Sequence, residues 1–546
     1  MQEQTQDTKF VETLEIEDTG EKHEYGYEHE SIHVQDAEAG PEAVDLQKGT
    51  KRSLRTRHIT MIALGGSIGT GIFLNMGANI ANAGPAGAFI AYVVIGFMVY
   101  CLMTCLSEMA AYIPVSGAFN HYAHRFIDPS LGFSLAWNYW LGGVTVATEL
   151  AAAATIIDFW KTVMPDAAWG AIIMVIFVTF NLLSVRIYGE SEYYFALIKV
   201  LMVVVFIIIC IVFTTGGMGS QGPIGFKYWV TPGPWVDGPV GTVSVLLSAG
   251  FSFQGAEIVG ITAGEAENPA KAVPRAINST FWRILLFYVL TILFLGMCLP
   301  SDDPDLASDG SPTTSPFTLV FKAAGIGAGV HVVNAIVLIS VLSACNSSLY
   351  VTSRVMLGLA RDGHGPQWLA LTNRYGAPYV AVLLSSVIGF VCCFVSIYSA
   401  KVAFVWFLNI TAVSGFCSWM FIGIVQYRFR QAFVKQGRDL DDLPYKSPYF
   451  PYPSLICSVL CFAIIIGQGY TAFTPTFDAG KFVANYIGII PFFVLYIIHK
   501  AVVRKPFVAV KDMDFETGRV KRADIDKYLA EKVDETWYQK LAYLFT

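Results

Sequence analysis

The sequence predicts an all-α membrane protein of twelve transmembrane helices, the first and sixth of them broken, and three observations carry that prediction. Hydrophobic residues make up 54% of the 546 and charged residues only 14%, whereas a water-soluble chain carries about 25% charged side chains. The apolar residues fall into runs of roughly 20, enough to cross a hydrocarbon core of about 30 Å as a helix; a strand would need only about 9–11 and would alternate. Two of those runs, five apart in the series, are crowded with glycine. This balance excludes a soluble enzyme, a nucleic-acid binder and a wholly disordered chain. The net charge of −6 averages an acidic N-terminus with basic stretches elsewhere, so only its distribution is informative.

Residues 1–57 read as an acidic, largely disordered tail on the cytoplasmic side, without the apolar run of about 7–15 residues that a secretory signal needs. Lys9 and Lys22 are candidate sites of regulatory modification there, against the plainer reading of solvated lysines. The tail ends in a basic cluster, Lys48, Lys51, Arg52, Arg55 and Arg57. Spans follow at 59–83, 86–114, 131–158, 167–188, 193–215, 241–263, 281–300, 327–350, 378–399, 402–427, 453–473 and 483–503. Ten of them fill a core at 58–427. Residues 428–504 add a loop and the last two spans, and 505–546 form a second tail. Spacing of Ile525, Tyr528, Leu529 and Val533 places one apolar face on a short amphipathic helix in that tail, with Trp537, Leu541 and Leu544 beyond it. Lysine and arginine stay on the cytoplasmic side. Thirteen of them lie in the even-to-odd connections or at the span edges beside them, Arg186 and Arg283 being the two at edges, and five in the others, which puts both termini inside. The acidic connection from Ser301 to Pro316 then faces outward. All ten cysteines sit in apolar runs and read as small buried side chains, not as disulfides or metal ligands.

The first span contains Gly65-Gly66-Ser67-Ile68-Gly69-Thr70-Gly71, and the sixth contains Ser248 to Glu257, SAGFSFQGAE. Glycine weakens a helix, and backbone freed inside a bilayer is tolerable only where it lines a cavity or is buried in protein. One such run alone would read as close helix packing. Two runs five spans apart occupy corresponding positions if spans 1–5 and 6–10 are inverted repeats, and paired interruptions point to a binding site at the membrane midplane. Freed amides would hold a carboxylate and freed carbonyls an ammonium. An amino acid presents both.

The stretch Phe251 to Ile277, FSFQGAEIVGITAGEAENPAKAVPRAI, resembles the signature of the fungal amino-acid permeases, a family of the amino acid–polyamine–organocation superfamily. The likeness continues through SEMAAYIPVSGAF (Ser107 to Phe119), SACNSSLYVTSR (Ser343 to Arg354), LNITAVSGF (Leu408 to Phe416) and GQGYTAFTP (Gly467 to Pro475). It covers about residues 50–505. The resemblance implies a LeuT-type 5+5 inverted repeat with two extra spans, in a fungal plasma membrane. It implies proton-driven uptake of amino acids, with H+ as coupling ion and no cofactor. Nothing in the chain resembles a nucleophile with its base, a zinc spacing or a phosphate-binding loop, so an enzyme and an ATP-driven pump are both disfavoured.

Candidate site residues follow from the two breaks and from charge inside the spans. Ser67, Ile68, Gly69, Thr70 and Gly71 are expected at the substrate from the first span, and Phe251, Phe253 and Gln254 from the sixth. By resemblance an aromatic residue beside the sixth-span break is similar to a substrate gate. Glu149, midway along the third span, would meet a substrate ammonium, carry the proton or brace a helix. Lys199 lies inside the fifth span; it would either snorkel to the interface or, by resemblance, take the place of a coupling sodium ion against the first span. Thr411 and Ser414 are candidate pocket residues of the tenth span, with Asn346, Trp406 and Asn409 as weaker ones. Glu257 reads as a cap on the second half of the sixth span, and Glu108, Glu265 and Arg354 as members of ion-pair networks.

GITAGE (Gly260 to Glu265), LNIT (Leu408 to Thr411) and QGYTAF (Gln468 to Phe473) look most like the basic amino-acid branch, which implies lysine and arginine as substrates. Leu141-Gly142-Gly143 departs from that branch, where a small polar side chain is usual, and keeps a broad or neutral range as the alternative. A third reading is a sensor that binds amino acids without moving them. The tails here are short for such a receptor.

Overall fold

The computed structural model describes residues 54–160, 164–183, 185–306, 315–396, 400–473 and 476–533. Lys9, Lys22, Lys48, Lys51, Arg52 and the tail around them lie outside the described residues, as do Trp537, Leu541 and Leu544. Among the described residues the regular structure is helical, apart from one parallel bridge between Leu54 and Ala266.

Helix α1 (Thr56–Ser67) stops inside the first glycine run, and the chain restarts as a π-helical turn (Gly71–Asn75) that continues into α2 (Met76–Tyr112). Gly84, at φ +75°, interrupts α2 just before Pro85, a residue preset to begin a helix. Then come α3 (Ala118–Phe126), α4 (Pro129–Gly142) and α5 (Thr145–Ile157). The expected third span, 131–158, is therefore two helices parted at Gly142-Gly143, because adjacent glycines destabilise the helix they interrupt. Helices α6 (Asp166–Leu182), α7 (Val185–Thr214), α8 (Lys227–Val230), α9 (Gly238–Ser244) and α10 (Leu246–Phe253) lead to the second glycine run. Beyond it lie α11 (Ile258–Thr262), α12 (Pro269–Cys298), α13 (Pro316–Ala323), α14 (Gly327–Arg361) and α15 (Tyr379–Ser396). The chain finishes with α16 (Ala400–Lys435), α17 (Tyr452–Gly467), α18 (Ala479–Tyr486), α19 (Ile490–Val503) and α20 (Arg522–Val533). Helices α18 and α19 meet at 55°, at Gly488 and just ahead of Pro491, two helix-breaking residues inside what the apolar run 483–503 presents as one span.

Among the described residues seven helices are long and apolar enough to cross a membrane, or eight if the bent α18–α19 pair is one span. Their polarity is inside out. Along α7 the side chains of Leu197, Leu201, Val205 and Ile208 are exposed, while Glu192 and Lys199 are fully buried. In water that arrangement would be ruinous; in lipid the apolar face is the solvated one. The eight cysteines whose side chains are described are free and buried, as their place in apolar runs implies.

At the end of the bundle that carries α3, buried ion pairs tie distant helices together. Arg430 of α16 grips Glu108 of α2 with two guanidinium nitrogens, and the Ser447 amide donates to the same carboxylate at 2.7 Å. Arg354 of α14 pairs with Glu265 at 3.4 Å. The segment after α19, expected as a polar tail, packs under this end. The Val508 amide donates to Ile127 O and the Val520 amide to Tyr112 O, each at 2.9 Å. Phe515 sits among Phe126, Phe429 and Phe433, and Arg125 pairs with Asp514 at 2.9 Å. Ile525 of α20 is buried against Ala270 and Val520, in line with the expected apolar face; the side chains of Tyr528, Leu529 and Val533 lie outside the described set.

Arg430→Leu should strand the Glu108 carboxylate in an apolar site and cost about 3–5 kcal/mol of stability. Thermal unfolding in detergent reads this as a large loss of Tm, and the Glu108→Leu/Arg430→Leu double variant should recover most of it. A single variant as stable as the parent would remove the pair from the fold's supports.

Candidate functional site

The two glycine runs meet. Ile68 leaves the helical region at φ −82°, ψ 92°. Gln254 does the same at φ −61°, ψ 145°, and Gly255 follows at φ +100°. The crossing is backbone against backbone: a Cβ on Gly255 would stand 2.7 Å from the Gly66 carbonyl carbon, and one on Gly71 would run into the Ser252 Cα. Only glycine permits this approach. Tyr288 of α12 pins the junction, its hydroxyl lying 2.6 Å from both Ser67 O and Ser252 O.

Beside the crossing lies a cavity. Of the expected residues, Ser67, Gly69, Thr70, Gly71, Glu149, Phe251, Gln254, Thr411 and Ser414 line it. Two expectations fail. Ile68 points into the apolar core, fully buried. Phe253 stacks on Tyr288 at 4.5 Å and lies near Tyr92, away from the cavity. The period of the helix decides the latter: Phe251 and Phe253, two residues apart, cannot share a face. Among the weaker candidates, Asn346 accepts from Asn181 at 2.7 Å and Asn409 donates to Asn485 at 3.3 Å; neither they nor Trp406 line the cavity.

Glu149 faces the restart of the first span. Its Oε1 accepts from the Thr70 hydroxyl at 2.7 Å, and its Oε2, though buried, has no partner. Glu257 sits on the opposite wall, accepting from Tyr139 at 2.9 Å and from the Gly255 amide at 3.1 Å. Glu257 holds the N-cap position of α11 without a side-chain bond to that helix, so the expected cap on the second half of the span does not form, and its carboxyl lines the cavity instead. No Lys, Arg or His is among the lining residues, so the described wall has two carboxyl groups and no cation. Buried carboxylates without a cation are costly and attract one.

The third-span break supplies the floor. Ser414 of α16 donates to Asn138 O at 2.6 Å, and Asn138 returns a bond to Ser414 O at 3.1 Å. Thr145 donates to Gly142 O at 2.8 Å and reaches Thr411 at 3.3 Å, while the Gln254 side-chain amide donates to Thr411 O and Ala412 O, both at 3.2 Å. Gly142 and Gly143, noted in the sequence for substrate range, line the cavity, and so do Tyr139, Thr145, Ser348 and Thr352, which the sequence did not single out. Gly142-Gly143 was the available signal, since a third glycine interruption marks a third place where backbone faces the cavity.

Lys199 is fully buried and outside the cavity wall. Its ammonium donates to Gly65 O, on the last turn of α1, against the first span as the resemblance implies.

Comparison with known proteins decides the family. The amino acid permease family model matches residues 58–511. The chain belongs to the amino acid permease family. It is similar to the lysine-specific permease LysP of Escherichia coli, 43% identical over 472 residues, covering 86% of this chain and 96% of that protein. Similarity to two Saccharomyces cerevisiae proteins runs almost as high. The lysine-specific permease is 40% identical over 86% of this chain and 79% of its own, and the basic amino-acid permease 42% over 83% and 81%. Among solved structures, a manganese transporter of Eremococcus coleocola shares the fold at a TM-score of 0.54 and 13% identity, covering 89% of this permease and 99% of that chain. The permease is thus a membrane transport protein of amino acids and not an enzyme.

Gly255→Ala should weaken amino-acid binding to the purified permease by about tenfold or more, the scale of 1–3 kcal/mol of backbone strain plus a clash. Gly325→Ala is the control, since Gly325 also has a positive φ (+79°) but open space around it. Equal binding by the parent and Gly255→Ala would mean that the crossing does not shape the site.

Proposed function

We propose that this permease imports lysine and arginine by proton symport, through alternating access about the crossing of the first and sixth spans. The observation that carries the reading is the cavity wall, with two buried carboxyl groups, Glu149 and Glu257, and no cationic side chain. A zwitterionic head needs one positive and one negative place. The restart of the first span at Gly69, Thr70 and Gly71 offers backbone amides to the carboxylate, while ends of broken helices offer carbonyls to the α-ammonium. The surplus positive charge of lysine or arginine then meets Glu149, whose Oε2 is unpartnered. Three similar proteins are named for lysine or basic amino acids, which supports the same choice. Ser67, Phe251, Gln254, Thr411 and Ser414 complete the proposed site, and Lys199 is the proposed coupling residue.

The same reading takes the chain as twelve spans, ten at 58–427 in a 5+5 inverted repeat and two at 428–504, with tails at 1–57 and 505–546 on the cytoplasmic side of the plasma membrane. In support, Gly84 divides Thr56–Tyr112 into two crossings, and shorter apolar helices at Ala167–Leu182, Leu285–Cys298 and Tyr379–Val391 fall where spans are expected. A histidine permease of Lactococcus lactis is 40% identical, and the Gly142-Gly143 floor adds no side-chain acceptor. These favour a range wider than lysine and arginine as the second reading.

Reconstituted in vesicles, the permease should accumulate radiolabelled lysine when the outside is acidic, and a protonophore should abolish accumulation. Uptake indifferent to the protonophore would refute symport. In competition, arginine should displace lysine, and leucine or glutamate should do so at least about tenfold less well, one charge-assisted contact being worth 1.5–3 kcal/mol. Equal competition by leucine would refute selectivity for cations.

A further inference from the structure

Two turns before Lys199, on the same face of α7, lies a second fully buried ionisable group that the sequence reading passed over. Glu192 is 0% exposed, as is Lys199, and its Oε1 stands 3.8 Å from the lysine nitrogen. That is an ion-pair distance and too long for a hydrogen bond. The ammonium instead donates to Gly65 O. Ser343 of α14 donates to Glu192 Oε1, and Oε2 has no hydrogen-bond partner. A Cβ on Gly65 would collide with this carboxyl group, so Glu192 touches the last turn of α1 directly.

Charge counting makes the arrangement informative. Lys199 lies within electrostatic reach of two buried carboxyls, Glu192 and Glu149. If all three were ionised, one negative charge would be uncompensated away from water, which costs several kcal/mol. One carboxyl therefore holds a proton while the cavity is empty of a cation. Glu149 lines the cavity and can be neutralised by a cationic substrate; Glu192 is walled off from it.

We propose that Glu192 is the carrier of the coupled proton, so that proton and substrate charge are handled by different carboxyls on the two sides of the first-span break. The proposal rests on the reading of the permease as a proton symporter. With the proton on Glu192, the carboxyl is neutral and Lys199 stays on Gly65 O, holding the end of α1. When the O–H bond of Glu192 breaks and the proton leaves, the carboxylate draws the ammonium away from Gly65 O and α1 is released. No electrons move, and the proton is the only species transferred. The Ser347 hydroxyl faces Glu192 and lies 3.0 Å from the Tyr188 hydroxyl. The Tyr188 ring stacks on Tyr350 at 4.0 Å, next to Arg354 and Glu265. These groups place polar side chains between Glu192 and the end of the bundle that carries the ion pairs. The titratable groups facing Glu192 are thus Lys199 and Tyr188 on its own helix, Tyr350 and Arg354 on α14, Glu265 after α11 and Glu149 across the break. His58 of α1 is turned instead toward Glu190.

The test uses the full chain in vesicles with radiolabelled lysine, comparing the parent, Glu192→Gln and Glu192→Asp. Lysine counterflow, which moves no net proton, reports folding and binding. Glu192→Gln should keep counterflow within about threefold yet lose all accumulation driven by an acidic exterior, with a flat pH profile. Glu192→Asp, which keeps a proton on a shorter arm, should retain accumulation with a displaced profile. In lightly buffered detergent, lysine binding should alter the proton uptake or release of the parent but not that of Glu192→Gln. A Glu192→Gln variant with the parent's pH profile, or a Glu192→Asp profile superimposable on the parent's, overturns the proposal. Should the parent itself show no proton drive, the symport reading fails first and takes this proposal with it; if the parent is proton-driven and only the Glu192 arms disagree, symport stands and the carrier is elsewhere.

Discussion

Everything at the centre of this permease depends on two backbones passing without side chains between them. Gly255 lies against Gly66, and Gly71 against Ser252, and both chains must already have left the helix for the approach to occur. A helix keeps its amides and carbonyls for itself; a broken one in a bilayer must give them something else to bond. The Tyr288 hydroxyl at Ser67 O and Ser252 O and the Glu257 carboxyl on the Gly255 amide satisfy part of that demand. What the protein leaves unsatisfied is polar surface at the middle of an apolar body, which is what an amino-acid head requires.

Around that crossing the charges are sorted by what they face. Glu149 and Glu257 face the cavity, Glu192 and Lys199 face the last turn of α1, and Glu108–Arg430 and Arg354–Glu265 close one end of the bundle. Each group is buried, so each is strongly felt by its neighbours and poorly screened. The end pairs are matched one to one and serve the fold. The central groups are not matched, and an unmatched set can respond to an added cation or proton.

Much of this was legible in the sequence because membrane helices announce themselves by length and apolarity, and because glycine runs inside them have few bland explanations. Both breaks fall inside the glycine runs that the sequence displays, 65–71 and 248–257, the second at Gln254–Gly255 rather than between Phe251 and Phe253, and Glu149 and Lys199 stand out as charges inside apolar spans. Misreadings came where a position does not declare its face. Ile68 and Phe253 stand next to site residues in the sequence, but the extended backbone at Ile68 and the helical rotation at Phe253 turn both into the core. Glu192 sits near the beginning of the fifth span beside Glu190, in YGESEY, where two glutamates look like a solvated helix start; only the packing of α7 against α1 and α14 reveals that one of them is sealed inside. The docked segment around Phe515 was missed for a related reason, since its contacts are single apolar residues in a polar stretch, without a period to detect.

The account stands on the claim that the crossing holds the amino-acid head by its carboxylate, and binding of lysine analogues tests that claim without altering the protein. Lysinamide keeps both ammonium groups and loses only the carboxylate. Measured by calorimetry on the purified permease, it should bind about 100-fold more weakly than lysine, the loss of one or two charge-assisted hydrogen bonds at 1.5–3 kcal/mol each. Lysinamide binding as tightly as lysine would contradict the account, because the broken helices would then have no part in recognising the substrate.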